Sequence, residues 1–379
     1  MNPHRRLRTP GGVAAIAVSW FILAPAGAAE LIDLATAQRA NSDPRVIAVD
    51  ARLTRAAQSG ATDSLVAELQ SIAADRMLDP VARESLLDRG LHDLARLAPT
   101  PAARALASQL QLRAPQVYLR TDPDHGGTGA PLYDIGATAR FVLGAWQRSA
   151  ARDQAAAALQ AGLPSAIERF ARGSGVAELD PERSGIIDAF TVAPRAALLA
   201  QRAAMIAAFN QGERVDELGL VLARRLPDRE MLDLVIGHAD APVALAAVQL
   251  VPQLLDSGAA FESLAVASRR PEIASAALLG IGKLAGQDAA ARDFLLDAIQ
   301  DPSTGPSAAA ALGSLQDPLI AAELGRRLQL AKTESSQRML VLALQLDGAP
   351  AARAELQRFA DRRTGSPELR RELRQWLAH

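Results

Sequence analysis

The chain has 379 residues, of which 49% are hydrophobic, 81 are alanine, 13 are aromatic and none is cysteine. Without thiols there is no disulfide framework, cysteine nucleophile, iron–sulfur cluster or Cys-type zinc site. A net charge of -1 gives no sign of a polyanionic partner, and a charged fraction of 22% beside abundant Leu, Val and Ile is that of a chain that folds.

Residues 1–29 read as a secretory signal peptide. Arg5, Arg6 and Arg8 lead into an apolar run from Val13 to Leu23, and the segment ends Ala26-Gly27-Ala28-Ala29, which places cleavage after Ala28 or Ala29. The run is shorter than the roughly 20 residues that span a bilayer, and no cysteine follows it to take a lipid anchor. Cleavage removes three arginines and no acid, leaving a mature charge of -4. The expected location is the periplasm or the exterior, where the lack of cysteine is at home. No later segment offers a long uncharged apolar run, so no transmembrane span is expected once the signal is removed.

Residues 30–117 read as a helical N-terminal region. Apolar side chains recur at three- and four-residue spacing in Leu65, Leu69, Ile72 and in Leu86, Leu87, Leu91, Leu94, the stripe of an amphipathic helix. Alternating β-branched or aromatic runs are nearly absent, so the class is all-α. Asp-Pro pairs at 43–44, 79–80, 180–181, 301–302 and 317–318 suit helix starts, with aspartate as N-cap and proline in the first turn.

Residues 118–135 break this texture. Both tyrosines, Tyr118 and Tyr133, bracket an Asp/Gly/Pro-rich loop with one histidine. Asp122, Asp124, His125 and Asp134 are the candidate set for a ligand or metal site, with Gly126, Gly127 and Gly129 permitting tight turns. Asp, Gly and Pro are equally ordinary linker residues, and no acidic spacing here matches a calcium loop. No Gly-Lys-Ser/Thr follows the glycines, so they form no phosphate loop. Residues 136–214 return to helical spacing, interrupted by a connector from Gly173 to Arg183. Neither a Gly-x-Ser-x-Gly elbow nor a His-Glu-x-x-His helix occurs anywhere, and no cofactor is implied.

From residue 215 to 379 a repeat emerges. Five apolar segments, AAVQLVPQL, AALLGIGKL, AAAALGSL, MLVLALQL and LRRELRQWL, end at Leu254, Leu284, Leu315, Leu346 and Leu377, spaced by 30, 31, 31 and 31 residues. Second helices lie between them in FESLAVAS, ARDFLLDAI, IAAELGRRLQL and AELQRFA. Pro271-Glu272-Ile273 before AALLGIGKL and Asp301-Pro302 before AAAALGSL carry a resemblance to HEAT-like repeats, with weaker echoes at residues 79–87 and 102–112. The resemblance implies an α-solenoid of stacked antiparallel helix pairs, with a less regular helical N-terminal half, whose usual work is to present a long surface to another macromolecule.

Arginine pairs recur at 224–225, 269–270, 326–327 and 362–363, in or at the ends of the expected second helices, the set that often lines the concave side of such solenoids. Arg269, Arg270, Arg326 and Arg327 are the candidate partner-binding residues, able to fork onto carboxylate or phosphate. The plainer role is to complement helix C-termini. The repeat carrying ARDFLLDAI lacks the pair. The function expected is an exported scaffold that binds a protein partner in the cell envelope, its grip weakened by charge reversal at those arginines. The alternative is a metal-dependent or hydrolytic enzyme using the Asp122–Asp134 loop. Nucleic acid is not an expected partner, given the acidic mature charge and few stacking residues.

Overall fold

The computed structural model describes residues 30–120, 129–361 and 366–378. Residues 1–29, with the expected export signal, and Asp122, Asp124, His125, Arg362, Arg363 and His379 lie outside these residues. The chain divides into two compact units, one ending at Leu143 and one beginning at Gly144.

The first unit runs β1 (Glu30–Ile32), α1 (Leu34–Asn41), α2 (Pro44–Gln58), α3 (Thr62–Ala74), α4 (Pro80–Leu94), α5 (Pro101–Leu110), β2 (Val117–Leu119), β3 (Ala130–Pro131) and the start of α6 (Ile135–Gln160). Strand β1 pairs in parallel with β2, Leu31 opposite Tyr118, and β2 pairs antiparallel with β3. Tyr118–Leu119 and Ala130–Pro131 of the 118–135 segment are therefore strand rather than loop, because Tyr118 and Leu119 find backbone partners in β1 and β3. Helices α2, α3 and α4 pack together around fully buried Leu53, Leu65, Leu69, Leu87 and Leu91. Both leucine stripes read from the sequence are in this core. At Gly90 a Cβ would stand 2.6 Å from Leu69, so glycine is what lets α4 seat against α3.

The second unit continues with α7 (Ser165–Arg172), α8 (Pro181–Val192), α9 (Arg195–Asn210), α10 (Asp216–Arg225), α11 (Arg229–His238), α12 (Ala241–Leu254), α13 (Ser257–Ala267), α14 (Ala274–Ala285), α15 (Ala289–Ala298), α16 (Gly305–Gly313), α17 (Pro318–Leu330), α18 (Glu334–Asp347), α19 (Pro350–Asp361) and α20 (Pro367–Leu377). Successive helices pair, and helices two apart also touch, giving an all-α repeat of stacked helix pairs. One row is α8, α10, α12, α14, α16 and α18; the other is α9, α11, α13, α15, α17 and α19.

The local signals explain the boundaries. Asp43, Asp79, Asp180 and Asp317 each accept a backbone N–H two residues on, at 2.7–2.9 Å, with proline next in the first turn. Asp301 departs from this pattern: it accepts from Ser303 N at 2.8 Å in a turn, and α16 begins at Gly305. The five register leucines fall at or just past the ends of α12, α14, α16, α18 and α20. They mark helix ends on a half-open face, Leu346 being 51% exposed, while the core between rows is formed by residues such as Val251, Ile281, Leu312 and Leu344.

The joints within the rows differ in side-chain size. In the first row a Cβ on Gly282 would stand 2.9 Å from Ala311 of α16, and one on Gly313 would stand 2.7 Å from Leu346 of α18. Alanine and glycine let these helices approach backbone to backbone. In the second row α15 makes no comparable approach to α13 or α17. There the distance is spanned by long side chains, Phe261 to Phe294 and Arg327 to the end of α15.

Candidate partner-binding face

In each of the three described arginine pairs, the second member reaches the end of a neighbouring helix. Arg270, in the turn after α13, donates through Nη1 to Ile236 O and through Nη2 to Ala239 O at 3.1 Å, both carbonyls at the C-terminus of α11. Arg327 of α17 donates to Leu296 O at 2.6 Å and to the Asp297 carboxylate at 3.0 Å, at the end of α15. Arg225 donates to Ala193 O at 3.0 Å, at the end of α8. Each reaches back about one repeat to satisfy carbonyls that a helix terminus leaves open, and its charge complements the negative end of that helix. Arg225 lies in α10, in the first row, not in a second helix as its position in the sequence suggested.

The other members face solvent. Arg269 is exposed. Arg326 donates two bonds of 2.7 Å to Glu323, whose second cationic neighbour is Arg327 at 2.9 Å. The Arg326 bonds foremost hold the Glu323 carboxyl at about 2. A cleft of about 430 Å³ surrounds Arg326, Arg327, Lys332, Thr333 and Ser336, but Glu323 already occupies the fork that an external carboxylate would need.

Of the loop candidates, Asp134 is described: its Oδ1 accepts from Ala137 N at 2.8 Å at the start of α6. The structure does not describe the other three. Among the described residues no three His, Asp or Glu side chains gather as a metal-binding group. His92 sits in the last turn of α4 with Nδ1 2.9 Å from Asp88 O, and His238 ends α11 beside Phe209. The Gly173–Arg183 connector is tied down by buried Arg183, which stacks 4.1 Å from the Phe170 ring and bonds to Gly175 O and, at 2.8 Å, to Glu217.

What sequence reading passed over is the solvent side of the first row. Helices α12, α14 and α16, of 14, 12 and 9 residues, carry one charged side chain between them, Lys283. Their outward positions include Leu245 and Gln249 on α12, Ser275 and Leu279 on α14, and Ala310 on α16. Leu279 is 47% exposed. Ser307 donates to Ser275 at 2.9 Å, joining the surfaces of α14 and α16. The strip continues over Leu342 and Leu346 of α18 and ends at an apolar cleft of about 450 Å³ between α18 and α20, lined by Met339, Leu342, Leu373 and Trp376 and rimmed by the Arg338–Glu372 ion pair at 3.1 Å. The second row is studded instead with Glu262, Asp293, Asp297, Arg326, Arg353 and Arg358. The signal was the lack of charge in three successive segments, which periodicity alone reads as core. No helix among the described residues is long and apolar enough to cross a membrane.

Comparison with protein-family models and with curated proteins finds no match.

Proposed function

We propose that this protein is an exported helical-repeat scaffold, periplasmic or secreted, that binds a protein partner in the cell envelope along the first-row face of α12 to α18. The observation that carries this reading is the near-absence of charge on an exposed strip of Leu, Ala, Ser and Gln across α12, α14 and α16, beside a second row whose surface is densely charged. Contiguous exposed apolar surface on a folded chain marks an interaction site. A partner suited to it presents small and apolar side chains over α12, α14 and α16, where Lys283 is the one charged side chain. The export pattern of residues 1–29 and the absence of cysteine support the location.

The bonding of Arg270 and Arg327 to neighbouring carbonyls supports a scaffold role for them, with the grip on the partner coming from the apolar strip. Capture of envelope protein by the double variant Leu279→Glu/Leu342→Glu, compared with Arg269→Glu/Arg326→Glu, tests this. Loss with the first and retention with the second is expected; the opposite pattern defeats the proposal. Sequencing of the exported protein should begin at Ala29 or Glu30, and an intact N-terminus on it would contradict the signal.

A further inference from the structure

We infer that the repeat stack carries a built-in hinge at the second-row joint between α13 and α15. The joints on either side are fastened by directional bonds. Between α11 and α13, Arg270 grips two carbonyls and Arg229 meets Glu262 at 2.7 Å. Between α15 and α17, Arg327 grips Leu296 O and Asp297. Between α17 and α19, Glu355 lies in the space left by Gly325, where a Cβ would stand 2.7 Å from its Cγ. The α13/α15 joint has none of these. The repeat of α15 is the one that lacks the arginine pair, and the helices are bridged instead by the Phe261 and Phe294 rings, edge to face at 80° with centroids 5.8 Å apart.

An edge-to-face contact adds little beyond its buried area and tolerates sliding, whereas the arginine clamps lose charge-assisted bonds as soon as the helices part. On the other row α12 packs against α14, and α14 touches α16 through Ala, Gly and Ser, short side chains that form a pivot rather than an interlock. Opening of the α13/α15 joint therefore rotates the repeats about the first row and changes the angle between the surfaces that α12 and α14 present. The hinge stands on these joints alone, whether or not that face is the binding surface.

The chain has no cysteine, so spin labels can be placed without background substitutions. Frozen-solution dipolar distance distributions are measured for Val266→Cys/Asp293→Cys, across α13/α15, and for Ala322→Cys/Ala354→Cys, across α17/α19; all four positions are exposed. The hinge requires the first distribution to be about twofold wider than the second, and Phe294→Ala to widen the first further while leaving the second unchanged. Equal widths, or a first distribution indifferent to loss of the ring, overturn it.

Discussion

Replacing Arg270 by alanine tests whether the repeats are fastened by side chains that cap their neighbours. The substitution removes two bonds to the C-terminal turn of α11, leaving the carbonyls of Ile236 and Ala239 without that donor; both residues are buried. A charge-assisted hydrogen bond contributes about 1.5–3 kcal/mol. The Arg270 side chain is 28% exposed, so water recovers part of the loss, and the expected destabilisation is about 2 kcal/mol. Arg269→Ala, one residue away and on the open surface, should stay within about 0.5 kcal/mol. Lysine at 270 keeps the charge but offers a single point donor, and should restore no more than about half of the loss. Urea unfolding followed by circular dichroism gives the energies. Hydrogen exchange should show faster exchange localised to residues 229–239 and α13. Equal effects at 269 and 270, or full rescue by lysine, would refute the clamp and leave only a general charge effect.

The remaining predictions concern packing and pH. Gly313→Ala forces a Cβ to 2.7 Å from Leu346 and should destabilise by about 1–3 kcal/mol. Gly237→Ala, with open space around it in α11, should be neutral or stabilising by up to about 1 kcal/mol; denaturant midpoints compare the two. Glu323 has its carboxyl depressed to about 2, chiefly by the Arg326 bonds. Its contribution is present above the ordinary carboxylate range and is lost as pH falls toward 2, so Glu323→Gln should flatten the acid limb of a stability-versus-pH curve. Glu84 is the reverse case: burial pushes its carboxyl up, against the pull of Arg113. Its contribution is full below the ordinary carboxylate range and falls as pH rises, so Glu84→Gln should lessen that decline. Arg113→Met, which strands the buried acid, should cost about 3–5 kcal/mol near neutral pH.

The repeat was legible because its signals are local. Leucines about 31 residues apart mark real helix ends, and four of the five Asp-Pro pairs are N-caps, since both features act within one turn of helix. The small sheet was not legible: three-residue and two-residue strands are too short for alternation to register. The arginine pairs were visible but ambiguous, because only the fold shows that Arg270 and Arg327 lie against carbonyls 31–34 residues earlier. The candidate face was hidden for a different reason. A helix such as α16, nearly all Ala and Gly, has the same apolar texture on its inward and outward sides, so its sequence does not reveal which side meets solvent.

The most direct test of the central claim is a site-specific photo-cross-linking map in the native envelope. The cross-linking residue is placed singly at Leu279 and Leu342 on the first row and at Asp293 and Arg326 on the second. Adducts to one and the same protein from positions 279 and 342, saturable by excess unlabelled chain and absent from 293 and 326, are the predicted result. Adducts from the second-row positions instead, or equal labelling from all four, would contradict the claim that the uncharged first-row face is where the partner binds.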